Sequence, residues 1–244
     1  MGEGERFPPT RHSVVAALAA TDPRLAEPAW DTLVRGYWRP VYAYLRHRWH
    51  LGHDDAQDFT QEFFARAHAR GFFDGFDPSR AKFRTFLRVC LDRHVLRERE
   101  SAGRVRRGGG AAHLSLDFEA AAGEFALAVP DAGADPEALF RREWIRALFM
   151  SVVDAVRSRA EAAGRTVPFE LFRLYDLEGP DAERKPTYQE LADRFGISVT
   201  QVTNHLSAMR RTFRREALDR LRAECGSEEE YLAEAAELFG PEAA

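Results

Sequence analysis

Residues 186–213, PTYQELADRFGISVTQVTNHLSAMRRTF, restrict the fold more than any other stretch of the chain. Thr187 and Glu190 have the S/T-x-x-E/Q spacing of a capping box, which starts a helix by satisfying two orphan backbone donors. Leu191, Ala192 and Phe195 form the inner face of that helix, and Gly196 follows as a residue able to take the left-handed conformation at a helix end. Ser198 and Gln201 repeat the capping box, and Val202, Leu206, Met209 and Phe213 then fall on one stripe. Two helices, a turn of about three residues containing Gly, and a small Ala192 at the crossing make a helix-turn-helix. The outer face of the second helix carries Thr200, Gln201, Thr203, Asn204 and Ser207, then Arg210, Arg211, Arg214 and Arg215. Short polar side chains near a helix N-terminus reach base edges in a major groove, and Arg further along contacts phosphates. The alternative is a plain helical hairpin with a solvated basic face.

The rest of the chain also reads as helix, so the expected fold class is all-α. Val34, Trp38, Val41 and Leu45 give one face of a helix over 28–50, with Pro40 placing a kink or break inside it. Ala56, Phe59, Phe63 and Ala67 define a helix over 54–70. Asp77 before Pro78 is read as the N-cap of a third helix reaching residue 100. Its buried face holds Phe83, Phe86, Leu87, Cys90, Leu91 and His94. Residues 101–134 lack apolar periodicity and read as a linker, with a short helix allowed at 116–127. Asp135-Pro136 repeats the cap signal and opens a long helix to about Gly164 whose apolar face suits burial on two sides. A short helix over 169–177 follows. The expected organisation is an N-terminal extension (1–27), a helical domain (28–105), a flexible linker (106–134), a helix-turn-helix domain (135–225) and an acidic tail (226–244).

Composition narrows the function classes. The chain has 244 residues, 30% of them charged, and no apolar run long enough to span a membrane. Its start carries no secretory signal. Cys90 and Cys225 are the only cysteines, which excludes a disulfide framework and the usual cysteine zinc modules. A net charge of −4 conceals strong segregation. Residues 80–107 hold ten Lys/Arg against three Asp/Glu, whereas residues 223–244 hold seven Glu and no base. Such blocks create local fields that the overall balance hides. His47, His50 and His53 drift off one helix face, so no metal site is expected. Asp54, Asp55, Asp58 and Glu62 lack the strand framework of a two-metal nuclease, and no P-loop, GxGxxG or HExxH occurs, so no catalytic activity and no cofactor are expected.

With the helix-turn-helix in place, the whole chain resembles a bacterial RNA polymerase sigma factor of the extracytoplasmic-function group. YQELADRFGISVTQVTNHLSAMRRTFRREAL is similar to region 4 of that family. YWRPVYAYLRHR is similar to the opening helix of region 2, and DDAQDFTQEFFARA to the segment that usually reads D-A-E-D-x-x-Q-E. FDPSRAKFRTFLRVCLDRHVLRERE is similar to the helix used for promoter melting. Phe86 stands where the family often has Trp, and Arg93 lies near its usual Asn.

The resemblance implies a cytoplasmic transcription initiation factor. Region 2 would grip the clamp coiled coil of core RNA polymerase and capture a −10 base. Region 4 would read the −35 element and sit on the polymerase flap. Asp55, Asp58 and Glu62, with Gln61 beside them, form an acidic and amide face suited to Arg on a partner helix. Lys82, Arg84, Arg88, Arg93 and Arg97 supply phosphate contacts for −10 DNA. Phe83 and Phe86 either stack on an unpaired base or belong to the core. Thr200, Gln201, Thr203, Asn204, Ser207, Arg210, Arg211 and Arg214 are the expected −35 contacts. The acidic tail has Tyr231, Leu232, Ala235 and Leu238 or Phe239 at helical spacing. It is read as a packed capping helix, or as an element that occludes a basic DNA surface or binds an anti-sigma factor or other regulator. The competing function is a helix-turn-helix regulator that acts without stable polymerase binding.

Overall fold

The computed structural model describes residue 18 and residues 23–70, 73, 75–77, 79–102, 135–178 and 184–243. The expected linker and the optional helix at 116–127 lie outside them. Every regular element among the described residues is helical: α1 (Pro23–Arg48), α2 (His53–Arg70), α3 (Phe83–Ala102), α4 (Pro136–Ala162), α5 (Thr166–Phe172), α6 (Tyr188–Phe195), α7 (Val199–Glu224) and α8 (Glu228–Phe239). A π-helical turn (Arg173–Leu177) extends α5, and a 3₁₀ turn (Pro241–Ala243) follows α8.

Several helix ends follow directly from local chemistry. Helix α1 continues through Pro40 and ends at Arg48, ahead of the expected end, and His50 takes a positive φ of 52°. Asp135 accepts a bond from the Ala138 amide at 3.3 Å, so α4 starts where its Asp-Pro signal places it. The similar signal at Asp77 gives a different result. Its carboxylate accepts from the Ser79 amide at 2.9 Å and the Ser79 hydroxyl at 2.7 Å. Those bonds close a local Asx turn, and the helix begins only at Phe83.

Contacts divide the chain into two units, Met1–Ala147 with Leu221–Ala244, and Leu148–Arg220. The start of α4 and the end of α7 therefore group with α1–α3 and α8, whereas the sequence reading kept 135–225 together. In the first unit, Leu33, Tyr37, Val41, Tyr44 and Leu45 of α1 pack with Ala56, Phe63 and Phe64 of α2 and Phe83, Leu87, Leu91 and Val95 of α3. Phe140 and Trp144 of α4 are also buried. Burying each such side chain contributes roughly 1.5–3 kcal/mol of transfer free energy. Gly36 lets α1 approach closely, since a Cβ there would lie 2.9 Å from Oε1 of Glu224.

The second unit has its own core. Leu148, Val152 and Val156 of α4 join Phe169, Leu171 and Phe172 of α5, Leu191 and Ala192 of α6, and Val202, Leu206 and Met209 of α7. Phe213 lies 5.7 Å from Phe149 and 5.5 Å from Phe172 between ring centroids.

Candidate nucleic-acid and partner interfaces

The helix-turn-helix has the capping chemistry its sequence requires. The Thr187 hydroxyl accepts from the Glu190 amide at 3.2 Å, and the Thr187 amide donates to the Glu190 carboxylate at 2.8 Å. Arg184, with the largest effect, and the Thr187 amide and hydroxyl all donate to the Glu190 carboxylate and hold its pKa down at about 2. Gly196 adopts φ 63° and ψ 36° and ends α6, its amide bonding to the Ala192 carbonyl. The second box is also closed: Gln201 donates its amide to the Ser198 hydroxyl at 3.2 Å, and the Ser198 amide donates to Gln201 Oε1 at 2.8 Å.

This geometry divides the outward face of α7. Thr200 and Asn204 are exposed, and their side chains make no hydrogen bond to a described residue. Gln201 spends its carbonyl on the cap, and the Thr203 hydroxyl donates to the Val199 carbonyl at 3.1 Å. Ser207 is half-buried. Arg211 and Arg214 are exposed and carry no ion pair among the described residues. Arg210 differs, because it forms a forked pair with Asp176 at 2.8 and 2.9 Å. Asp176 was not singled out in the sequence, since its partner lies on another element.

In the first unit, α2 presents the expected acidic face. Ala56, Thr60, Phe63, Phe64 and Ala67 turn inward. Asp55 and Asp58 are exposed, and Gln61 and Glu62 are half-buried. Asp54 and Asp55 occupy the first turn, where the helix dipole favours negative charge. Glu62 is engaged within the chain, 2.6 Å from Arg66, which also pairs with Glu98. Burial, with Glu98 and Asp58 nearby, outweighs Arg66 and raises the Glu62 carboxyl above its ordinary range.

Lys82, just before α3, and the six candidate residues on α3 fall into three groups. Phe83 is fully buried, its ring 5.5 Å from Tyr37, 5.5 Å from Phe73 and 5.2 Å from Phe76. Its ring is therefore core and presents no free face to a base; Phe86, at the rim of the same cluster, is half-buried.

Lys82, Arg84 and Arg88 form the second group, and each is paired internally. Lys82 and Arg84 both bind Glu234 of α8, the Arg84 contact measuring 2.8 Å. Arg88 donates to Glu137 at 2.9 Å and to Asp92 at 3.1 Å. Arg93 and Arg97 form the third group and are exposed.

Two polar centres of this unit escaped the sequence reading. Asp92 accepts from Tyr44 at 3.1 and 3.2 Å, from Trp49 at 3.0 Å and from Arg88. It pins α1 to α3 through the ring hydroxyl and indole N–H that burial would otherwise leave unmatched. Burial first, then the Asp92 charge, lifts the Tyr44 phenol to about 12 against Arg88.

Glu234 is the second centre. It is 0% exposed and meets Lys82, Arg84 and, at 3.5 Å, Arg141. Burial raises its carboxyl, but the cations outweigh burial and leave it below the usual carboxylate range. The expected apolar stripe of α8 is rotated accordingly: Tyr231, Glu234 and Ala235 face inward, and Leu232 is 40% exposed.

His53 Nδ1 lies 2.8 Å from the Tyr42 hydroxyl. No group of three metal-ligating side chains occurs among the described residues, and no described helix is long and apolar enough to cross a membrane.

Residues 33–105, spanning most of α1 and all of α2 and α3, match the family Sigma-70 region 2. No curated protein and no solved structure gives a significant match. Over α1–α3, less than half of its length, the chain is thus similar to sigma-70 region 2, a likeness that supports a sigma-factor role in transcription initiation.

Proposed function

We propose that the chain is a two-domain sigma factor of the extracytoplasmic-function type, acting in the cytoplasm. It would bind core RNA polymerase through α2 and direct it to promoters, with α3 engaging the −10 element and α7 the −35 element. The region 2 match over 33–105 carries this reading. The doubly capped helix-turn-helix supports the α7 assignment, because its outward face keeps Thr200, Asn204, Arg211 and Arg214 uncommitted. The residues divide by task. Asp55 and Asp58, open on α2, are the carboxylates for a basic partner helix, with Gln61 and Glu62 at the edge of that contact. Arg93 and Arg97 are the cations of α3 open to phosphate. Asn204 and Thr200 face base edges, while Arg211 and Arg214 contact the DNA backbone. Arg210 joins them by exchanging Asp176 for phosphate.

The test is capture of bacterial core polymerase by the full chain. Asp55→Arg with Asp58→Arg should abolish capture while leaving the fold and duplex binding intact. Capture unchanged by this pair would remove α2 from the interface. Duplex binding without any capture would favour the conventional helix-turn-helix regulator. Arg211→Ala should weaken binding across all sequences and reduce its salt dependence, whereas Asn204→Ala should relax preference at one position.

A further inference from the structure

Among the charged groups of the first unit, one arrangement is poorly accounted for by stability alone. Lys82 just before α3, Arg84 of α3 and Arg141 of α4 converge on a single carboxylate, Glu234. Arg141 also reaches Glu237 at 2.7 Å. Glu230 of α8 also lies within the electrostatic reach of Lys82 and Arg84, so the charges are matched in number, but the hydrogen bonding is incomplete. Arg84 is 5% exposed, yet its Nε finds no acceptor among the described residues, and Glu234 Oε2 finds no hydrogen-bond donor. Arg84 instead stacks its guanidinium 5.1 Å from the Trp144 ring. A planar carboxylate offers these donors too few oxygens in one plane. A tetrahedral phosphate presents more acceptor directions to a guanidinium fork and an ammonium together.

We propose that Lys82, Arg84 and Arg141 form a binding site for a backbone phosphate of single-stranded nucleic acid, which Glu234 of α8 occupies as an internal phosphate mimic. The proposal rests on the promoter reading above, since Lys82 and Arg84 flank the first residue of the helix assigned to −10 DNA. Binding at this end of α3 then requires α8 to leave. The element is suited to leaving. It has twelve residues, a length at which an isolated helix is marginal in water. It inserts only Tyr231, Glu234 and Ala235 fully, and Leu232 stays 40% exposed. Such an element opens at a lower cost than the whole unit. Lys82 sits at the rim, its side chain 38% exposed, where an incoming strand meets it first. Once α8 leaves, the cluster regains three uncompensated cations, so the opened form binds polyanions with a steeper salt dependence.

Two measurements on the full chain test this. The first is affinity for a fluorescent, mixed-sequence single-stranded DNA oligonucleotide. Glu234→Gln should tighten binding about tenfold and steepen its salt slope, and Lys82→Gln added to it should reverse most of that gain. Equal affinity of the Glu234→Gln and unchanged chains would overturn the proposal. The second needs no variant and decides alone if Glu234→Gln fails to fold. Amide hydrogen exchange of the unchanged chain should show 228–239 losing protection as oligonucleotide is added. Full protection of α8 at the highest oligonucleotide concentration would overturn the proposal. So would equal deprotection by inorganic phosphate at the same concentration, which would assign the cluster to a small anion. Polymerase capture is scored separately. A chain that captures polymerase but keeps α8 closed keeps the promoter reading and loses this site. A chain that opens α8 on DNA without capturing polymerase keeps the site and loses that reading.

Discussion

The two units commit their candidate DNA-binding side chains to different degrees. In the first, three of the five cations that a sequence reading offers to DNA are turned onto the chain itself, Lys82 and Arg84 onto Glu234 and Arg88 onto Glu137 and Asp92, while Arg93 and Arg97 stay exposed. In the second, α7 keeps Thr200, Asn204, Arg211 and Arg214 facing outward, and short-range caps hold its scaffold. A surface built from local signals stays open, while one whose charges find distant partners closes. The same residue types therefore have different availability in the two places, and burial and pairing decide which Arg is free.

The largest effect that tests this contrast is at Phe83. Truncating a fully buried aromatic typically costs about 3–5 kcal/mol. Phe83→Ala should lower the denaturant midpoint of the first unit accordingly, and Phe86→Ala by clearly less. Equal losses at both positions would mean that the ring of Phe83 is not the core anchor its contacts indicate.

Next in size is the response of the first unit to acid. His94 is 3% exposed against Phe59 and Phe63, and burial first, then Arg66 and Arg97, lowers its imidazole from 6.5 to about 4 against Glu98. A base whose folded value is depressed opposes folding only where the unfolded chain holds the proton. Stability from the neutral imidazole is thus complete above pH 6.5 and is lost as pH falls toward 4. The loss approaches about 3 kcal/mol. His94→Phe should flatten the fall in melting temperature over that range. An unchanged slope would place the acid sensitivity in the carboxylates around Arg84.

In the second unit the effects should be smaller and local. Thr187→Ala removes one side of a closed capping box and should cost about 1 kcal/mol of stability, read by thermal melting. Asn204→Ala should leave stability within about 0.5 kcal/mol, because the side chain is exposed and unbonded. A loss as large as that of Thr187→Ala would show that Asn204 is structural and that the outward face of α7 is less open than its geometry indicates.

The same contrast explains what the sequence made legible. Both capping boxes, Gly196 and the α7 stripe were readable because each partner lies within four residues of the other, as were the inward faces of α2 and α3. The Asp77 signal misled because Asp before Pro serves an Asx turn as well as a helix cap, and Ser79 two residues on decides between them. Asp92 and Glu234 were missed for a different reason. Asp92 binds side chains 43 and 48 positions away, and Glu234 binds one 152 positions away. No period connects such pairs. The segregation of an Arg-rich block at 80–107 from a Glu-rich block at 223–244 was the one available trace. It allowed the acidic tail to cover a basic surface but not the residues involved, and the fold sets Glu234 from one block against Lys82 and Arg84 from the other.

The most direct test of the central claim is run-off transcription from a library of bacterial promoters with core RNA polymerase, with and without the full chain. Discrete transcripts from a limited promoter set should appear only when the chain is present and be lost with Asp55→Arg and Asp58→Arg together. Duplex DNA binding by the chain with no chain-dependent transcript from any promoter would contradict that claim.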